Sequence, residues 1–149
     1  MGFLHKRERG AVAVEFAFVF PILLLLVYGV ITYSYLFFVT TAVHYAAQVG
    51  AEAAVAVAPD DDEDDYTTRV YAAAEAAARQ SLSWMTAAQL ARLTVVPALS
   101  EDAVVPTIIV RLQFNTGAPT PIFPVIDLPL VGTVPRFPDN VVATAAATI

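Results

Sequence analysis

Between Glu15 and Glu52 the chain has no formally charged residue, and residues 16–39 of that gap are an almost unbroken run of Phe, Val, Leu, Ile, Tyr and Ala. At about 1.5 Å per residue, a helix over 16–39 is roughly 36 Å long, enough to cross a hydrocarbon core of about 30 Å with some tilt. The run is read as a transmembrane helix. A cleaved secretory signal fits less well, because its apolar region is about 7 to 15 residues long and ends in a small-residue site. Lys6, Arg7 and Arg9 precede the run and the next positive charge is Arg69. The positive-inside rule therefore places the N-terminus in the cytoplasm and everything beyond the span outside it.

Composition excludes several kinds of chemistry. The 149 residues include no cysteine, so disulfides, thiol nucleophiles and cysteine metal sites are ruled out. Two histidines, His5 and His44, are too few and too far apart for a histidine zinc site or a triad. Ser81, Ser83 and Ser100 have only His44 as a candidate base, and His44 falls close to the membrane. No nucleophile, base and orienting group stand at recognisable spacing. The reading is of a non-enzymatic protein without a cofactor. Net charge is −6, and losing residues 1–10 with Lys6, Arg7, Glu8 and Arg9 makes it −8. Such a surface disfavours nucleic acid, whose phosphates are bound by a basic face.

Residues 40–57 are Ala-rich and free of proline, so the helix is expected to continue beyond the bilayer as a stalk, from near Val12 to near Val57. Pro21 has no N–H to donate to the Ala17 carbonyl and predicts a kink. Gly29 and the hydroxyls of Thr32, Tyr33, Ser34 and Tyr35 suit either packing against other helices or an interfacial belt. Pro59 and the run DDDEDD at 60–65 end the stalk in a hydrated loop. That run lacks the alternating ligands, glycine and terminal glutamate of an EF-hand, so no metal site is read there. Asp64 or Asp65 is expected to cap a second helix over about 66–82. In that helix Asp65 with Arg69, and Glu75 with Arg79, stand four apart. Val70, Ala73, Ala74 and Ala77 form a small-residue face suited to a sheet. Trp84 is read as a core plug, and TAAQ at 86–89 as a capping box before a short turn ending near Leu90.

The last third changes period. Ile108, Val110, Leu112 and Phe114 alternate with Thr107, Ile109, Arg111 and Gln113, as a half-buried strand requires. Residues 140–149 alternate similarly, and 93–99 make a first strand with Pro97 placed at an edge or a bulge. A hairpin turn is expected over 100–103. Between the second and third strands, prolines at 119, 121, 124, 129, 135 and 138 forbid regular structure on this reading. Yet Ile122, Phe123, Val125, Ile126, Leu128, Leu130 and Val131 are too apolar for a solvated linker. Two roles stay open for this excursion: covering the core, or docking to a partner or the membrane. The fold class is α+β, with a long N-terminal transmembrane helix continuing as a stalk and a second helix packed on a small three-stranded antiparallel sheet. By segment this gives a leader at 1–10, a transmembrane helix at 11–39, a stalk at 40–58, an acidic loop at 59–65 and an outer α+β domain at 66–149.

The start of the chain carries the most specific motif. HKRERG ends in Gly10, four small or apolar residues follow, then Glu15 and Phe16, then the apolar helix with Pro21. This stretch, RGAVAVEFAFVFPILLLL, resembles the class III signal of type IV pilins and pseudopilins, and in detail the TadE family of the tight adherence (Flp) pilus system. TadF-like proteins share related N-termini, whereas TadG-like proteins are much larger. The resemblance implies a minor pseudopilin of the bacterial cytoplasmic membrane, cleaved between Gly10 and Ala11 by a prepilin peptidase. It implies partners among the pilus assembly platform proteins and other pilins or pseudopilins. Glu15 would become the fifth residue of the mature chain, its carboxylate paired with the new Ala11 amine of its own or an adjacent subunit. A headgroup-level carboxylate with no specific role is the plain alternative for Glu15. For the whole chain the alternative is an uncleaved, signal-anchored module that binds an envelope partner.

Overall fold

The computed structural model describes residues 5–59, 63–100, 105–117, 124–129 and 132–149. Helix α1 runs over His5–Val55, 51 residues, and passes through Pro21 without a break in the helical assignment. Its contacts divide the chain into two units, Met1–Tyr35 and Leu36–Ile149. The first is helix with its large apolar side chains exposed: Phe16, Phe18, Ile22 and Leu26 all face outward.

The second unit is α+β. Helix α2 (Glu63–Ser81) and a single turn α3 (Ala87–Leu90) precede three long strands: β1 (Leu93–Ser100), β2 (Thr107–Asn115) and β5 (Asn140–Thr148). They form an antiparallel sheet in the order β1-β2-β5, with Leu93 opposite Phe114 and Phe114 opposite Val141. Period-two alternation on β2 has the expected result: Ile108, Val110, Leu112 and Phe114 are buried to the last percent, while Arg111 and Gln113 are exposed. Val141 and Ala143 of β5 and Leu93 of β1 complete that apolar face.

The helices supply the other half of the core. On α1, Val39, Val43, Ala46, Ala47, Ala51 and Ala54 are buried, a stripe at helical spacing that brings the segment read as a stalk into the core. On α2, Val70, Ala74, Ala78 and Leu82 are buried and Ala73 and Ala77 are half-buried, so the small-residue face is centred one residue round the helix from Ala73 and Ala77. Gly50 is where the three elements meet. A Cβ at position 50 would lie 2.9 Å from the Ala74 carbonyl oxygen and 3.3 Å from both Ala78 Cβ and Val110 Cγ1. Only a residue without a side chain lets α1 approach α2 and β2 so closely.

The sheet edge at β1 is blocked chemically. Pro97 has no N–H to offer, and the Leu99 N–H donates to the Tyr71 hydroxyl of α2 at 3.0 Å. Both features discourage a further strand on that side. The TAAQ reading also holds: the Gln89 N–H donates to Thr86 Oγ1, and the Thr86 N–H donates to Gln89 Oε1 at 2.9 Å.

Three expectations change. Helix α2 begins at Glu63, so Asp64 and Asp65 lie inside its first turns and neither caps it. Acidic residues there still complement the positive end of the helix, and Asp65 pairs with Arg69 at 3.3 Å. Trp84 is 47% exposed and does not plug the core. Its ring lies 5.0 Å from that of Phe38 on α1, and Met85 beside it is the buried residue. Finally, the proline-rich excursion contains regular structure: β3 (Ile126–Leu128) and β4 (Gly132–Val134) pair as a small antiparallel sheet. Pro124, Pro129 and Pro135 flank these strands rather than interrupt them, which is where proline is tolerated. Gly132 has φ +84°, a conformation open to glycine, and Thr133 Oγ1 donates to Asp127 Oδ1 at 2.6 Å across the pair. Residues 60–62 of the acidic run, 101–103 of the hairpin turn, and Ile122, Phe123, Leu130 and Val131 lie outside the described residues.

Candidate functional site

The residues singled out from sequence sit together on the first turns of α1. Gly10, Ala11, Glu15 and Pro21 all fall inside one continuous helix, which starts before Gly10 rather than near Val12. Ala11 and Glu15 are four residues apart, so the Ala11 backbone lies one turn below Glu15 on the same side of the helix. Nothing approaches within 4 Å of where a Gly10 side chain would be. Glu15 is exposed and, among the described residues, has no ion-pair partner. Phe16 and Phe20, ring centroids 5.4 Å apart, begin the apolar surface immediately above it.

That surface continues along the helix. The stretch Val12–Val55 contains a window of mean hydropathy 2.5 in which no residue is buried, and α1 is long and apolar enough to cross a membrane. Three threonines beyond its middle, of which Thr32 is buried, find acceptors on the helix itself. Thr32 Oγ1 donates to the carbonyls of Tyr28 at 2.8 Å and Gly29 at 3.1 Å, Thr40 to Leu36 at 2.9 Å, and Thr41 to Phe37 at 3.0 Å. Back-bonding of this kind lets polar residues enter an apolar environment without an unsatisfied group.

Among the described residues no three His, Asp or Glu side chains gather where they could hold a metal ion. Ser81 Oγ donates to the Ala78 carbonyl, and His44 is exposed on α1. A shallow cleft lies beside Thr116, Gly117, Val125, Thr133 and Phe137. It is held by Thr116, whose N–H donates to the Asp139 carbonyl at 3.0 Å and whose hydroxyl donates to the Pro138 carbonyl. Sequence reasoning missed Gly50 and the Trp84–Phe38 pair. A glycine amid small residues at 46, 47, 51 and 54 was the available signal for the first; nothing local marks the second.

Residues 10–52 match the family model described as TadE-like protein. The match opens at Gly10 and ends just past Gly50, so it spans the motif, the exposed apolar helix and the buried small-residue stripe, under a third of the chain. It is the family whose signal the N-terminal motif resembles. No curated protein and no solved structure matches the chain. The TadE-like segment and the apolar helix fit a single-pass membrane protein of a pilus system.

Proposed function

We propose that this chain is a non-enzymatic, minor pseudopilin-like protein that acts in assembly of tight adherence (Flp, type IVb) pili. It is anchored in the cytoplasmic membrane by α1, with the N-terminus in the cytoplasm and the α+β unit outside, and it is cut by a prepilin peptidase between Gly10 and Ala11. The observation that carries this reading is the coincidence of the TadE-like match with an exposed Glu15, one helical turn from Ala11, at the foot of an exposed apolar helix.

The precursor has a physical problem that cleavage relieves. An isolated carboxylate at the edge of a hydrocarbon layer is costly, and the cost grows with depth. Cutting after Gly10 creates an ammonium group at Ala11, on the same side of the helix as Glu15. Each charge then gains a partner, within the subunit or between neighbours. A pair between neighbours sets how two apolar helices slide past one another, which dispersion alone leaves undetermined. Gly10 suits the cut because a protease cleft takes its substrate extended, and glycine destabilises the local helix by roughly 0.5–1 kcal/mol.

Two results test this. N-terminal sequencing of the protein from a host with active prepilin peptidase is expected to begin at Ala11; an intact leader would return the chain to the uncleaved, anchored binding module. Glu15→Ala is expected to be processed normally while piliation falls about tenfold or more, equivalent to the loss of ~1.4 kcal/mol of pairing. Normal piliation in that variant would remove the pairing role and leave Glu15 a headgroup-level charge.

A further inference from the structure

The topology of the outer unit assigns one of its ends to the membrane. Helix α1 leaves the apolar stretch at Phe37 and Phe38, both exposed, and the Trp84 ring packs 5.0 Å from Phe38. Trp84 follows the C-terminal end of α2, so α2 returns from its start at Glu63 toward the level of Phe38. The sheet has the same polarity. The Leu99 N–H donates to the Tyr71 hydroxyl near the middle of α2, while Val110, opposite Pro97, packs at Gly50 beside Ala74 and Ala78. From Leu99 through Pro97 to Leu93, β1 therefore runs along α2 toward Trp84. Leu93, Phe114 and Val141 are in register, which places the end of β2 and the start of β5 at that same end.

The whole excursion over 116–139 leaves and re-enters the sheet there. Val125 and Ile126, the second of them the first residue of β3, are each about 40% exposed, with Asp127 following. Val125 lines the cleft with Thr116, Arg136 and Asp139, which keeps the start of this segment next to the sheet end. Two separate segments thus present aromatic or aliphatic surface at the level where α1 emerges. Tryptophan and phenylalanine at that level are the side chains a bilayer interface favours.

We propose that the base of the outer unit rests on a phospholipid bilayer, with Trp84 and the Val125–Ile126 pair seated in its headgroup region. The inference rests on the reading of α1 as a membrane span, and continuity with that span selects lipid over a protein partner. Docking of this kind puts the Leu93–Phe114–Val141 end of the sheet at the bilayer and the Ser100–Thr107–Thr148 end away from it.

The chain has a single tryptophan, so its fluorescence reports Trp84 alone. The full chain is reconstituted in phosphatidylcholine vesicles containing lipids brominated either high on the acyl chain or near its methyl end. Two Trp84→Phe variants serve as references, one carrying Leu26→Trp inside the span and one carrying Thr148→Trp at the far end. Trp84 is expected to lose intensity to the shallow bromines more than to the deep ones, with the Thr148→Trp probe unaffected. In a third Trp84→Phe variant, Val125→Trp is expected to behave as Trp84 does. Quenching of the Leu26→Trp probe without quenching of Trp84 overturns the docking and leaves the span intact. Equal loss at Trp84 and at the Thr148→Trp probe overturns it as well. If neither Leu26→Trp nor Trp84 is quenched, the span itself fails and the docking with it.

Discussion

Replacing Gly50 by valine is expected to destabilise the outer unit by about 3 kcal/mol, the upper end of the range for overpacking a close-packed interior. The reason is where the first added atom falls. A Cβ at position 50 meets a backbone oxygen, that of Ala74, at 2.9 Å, and two further side-chain atoms at 3.3 Å. A backbone oxygen cannot rotate away, so α1 and α2 must separate and open the contact with Val110. Gly50→Ala isolates this effect. In an unobstructed helix the change gains about 1 kcal/mol of helix propensity, whereas here the clash reverses its sign. Gly29→Ala is the control, because nothing lies within 4 Å of its added Cβ. Urea titration of the full chain in detergent micelles, followed by near-ultraviolet circular dichroism, is expected to rank Gly29→Ala at or above the parent, then Gly50→Ala, then Gly50→Val.

Phe114→Ala is expected to cost about 3–5 kcal/mol, a large share of the roughly 5–15 kcal/mol that holds a domain of this kind together. Phe114 is among the largest fully buried side chains, and it sits in register with Leu93 and Val141 at the end where β1, β2 and β5 are joined to α3 and to the excursion. Truncation leaves a cavity under three strands that hydrogen bonding holds in place, so the site has little freedom to collapse. Trp84→Ala provides the contrast. It removes a larger ring, yet it gives up only a half-exposed aromatic contact with Phe38, worth about 0.5–1.5 kcal/mol. The same urea titration separates the two; a Trp84 variant as damaging as the Phe114 one would return Trp84 to the core.

Much of the fold was legible because its signals are local and periodic. Alternation along residues 107–114 depends only on which side of a pleat each residue faces, and the buried set is the one the pattern names. The capping box at Thr86 and Gln89 needs no partner outside its own turn. The apolar run after Glu15 needs only its length, and the TadE-like match over 10–52 covers that same run. Residue type alone misleads where position within an element decides. Six prolines in one stretch argue against regular structure by their number, but the three beside β3 and β4 flank the strands, and pairing between Ile126 and Val134 needs only short stretches. The start of α2 moved to Glu63 because the acidic run contributes to the first turns of the helix.

By itself, then, the sequence determined the motif from Gly10 to Pro21, the apolar helix, the α+β class and the buried face of each long strand. These follow from spacing along one chain and from the cost of exposing or burying each residue type. Only the tertiary structure decided that one face of residues 39–54 of α1 belongs to the core, that Gly50 must lack a side chain, and that Trp84 lies beside Phe38 rather than within the sheet. Those facts depend on which distant surface a side chain meets, and close packing between helices and sheet is a property of the assembled unit that no local pattern encodes.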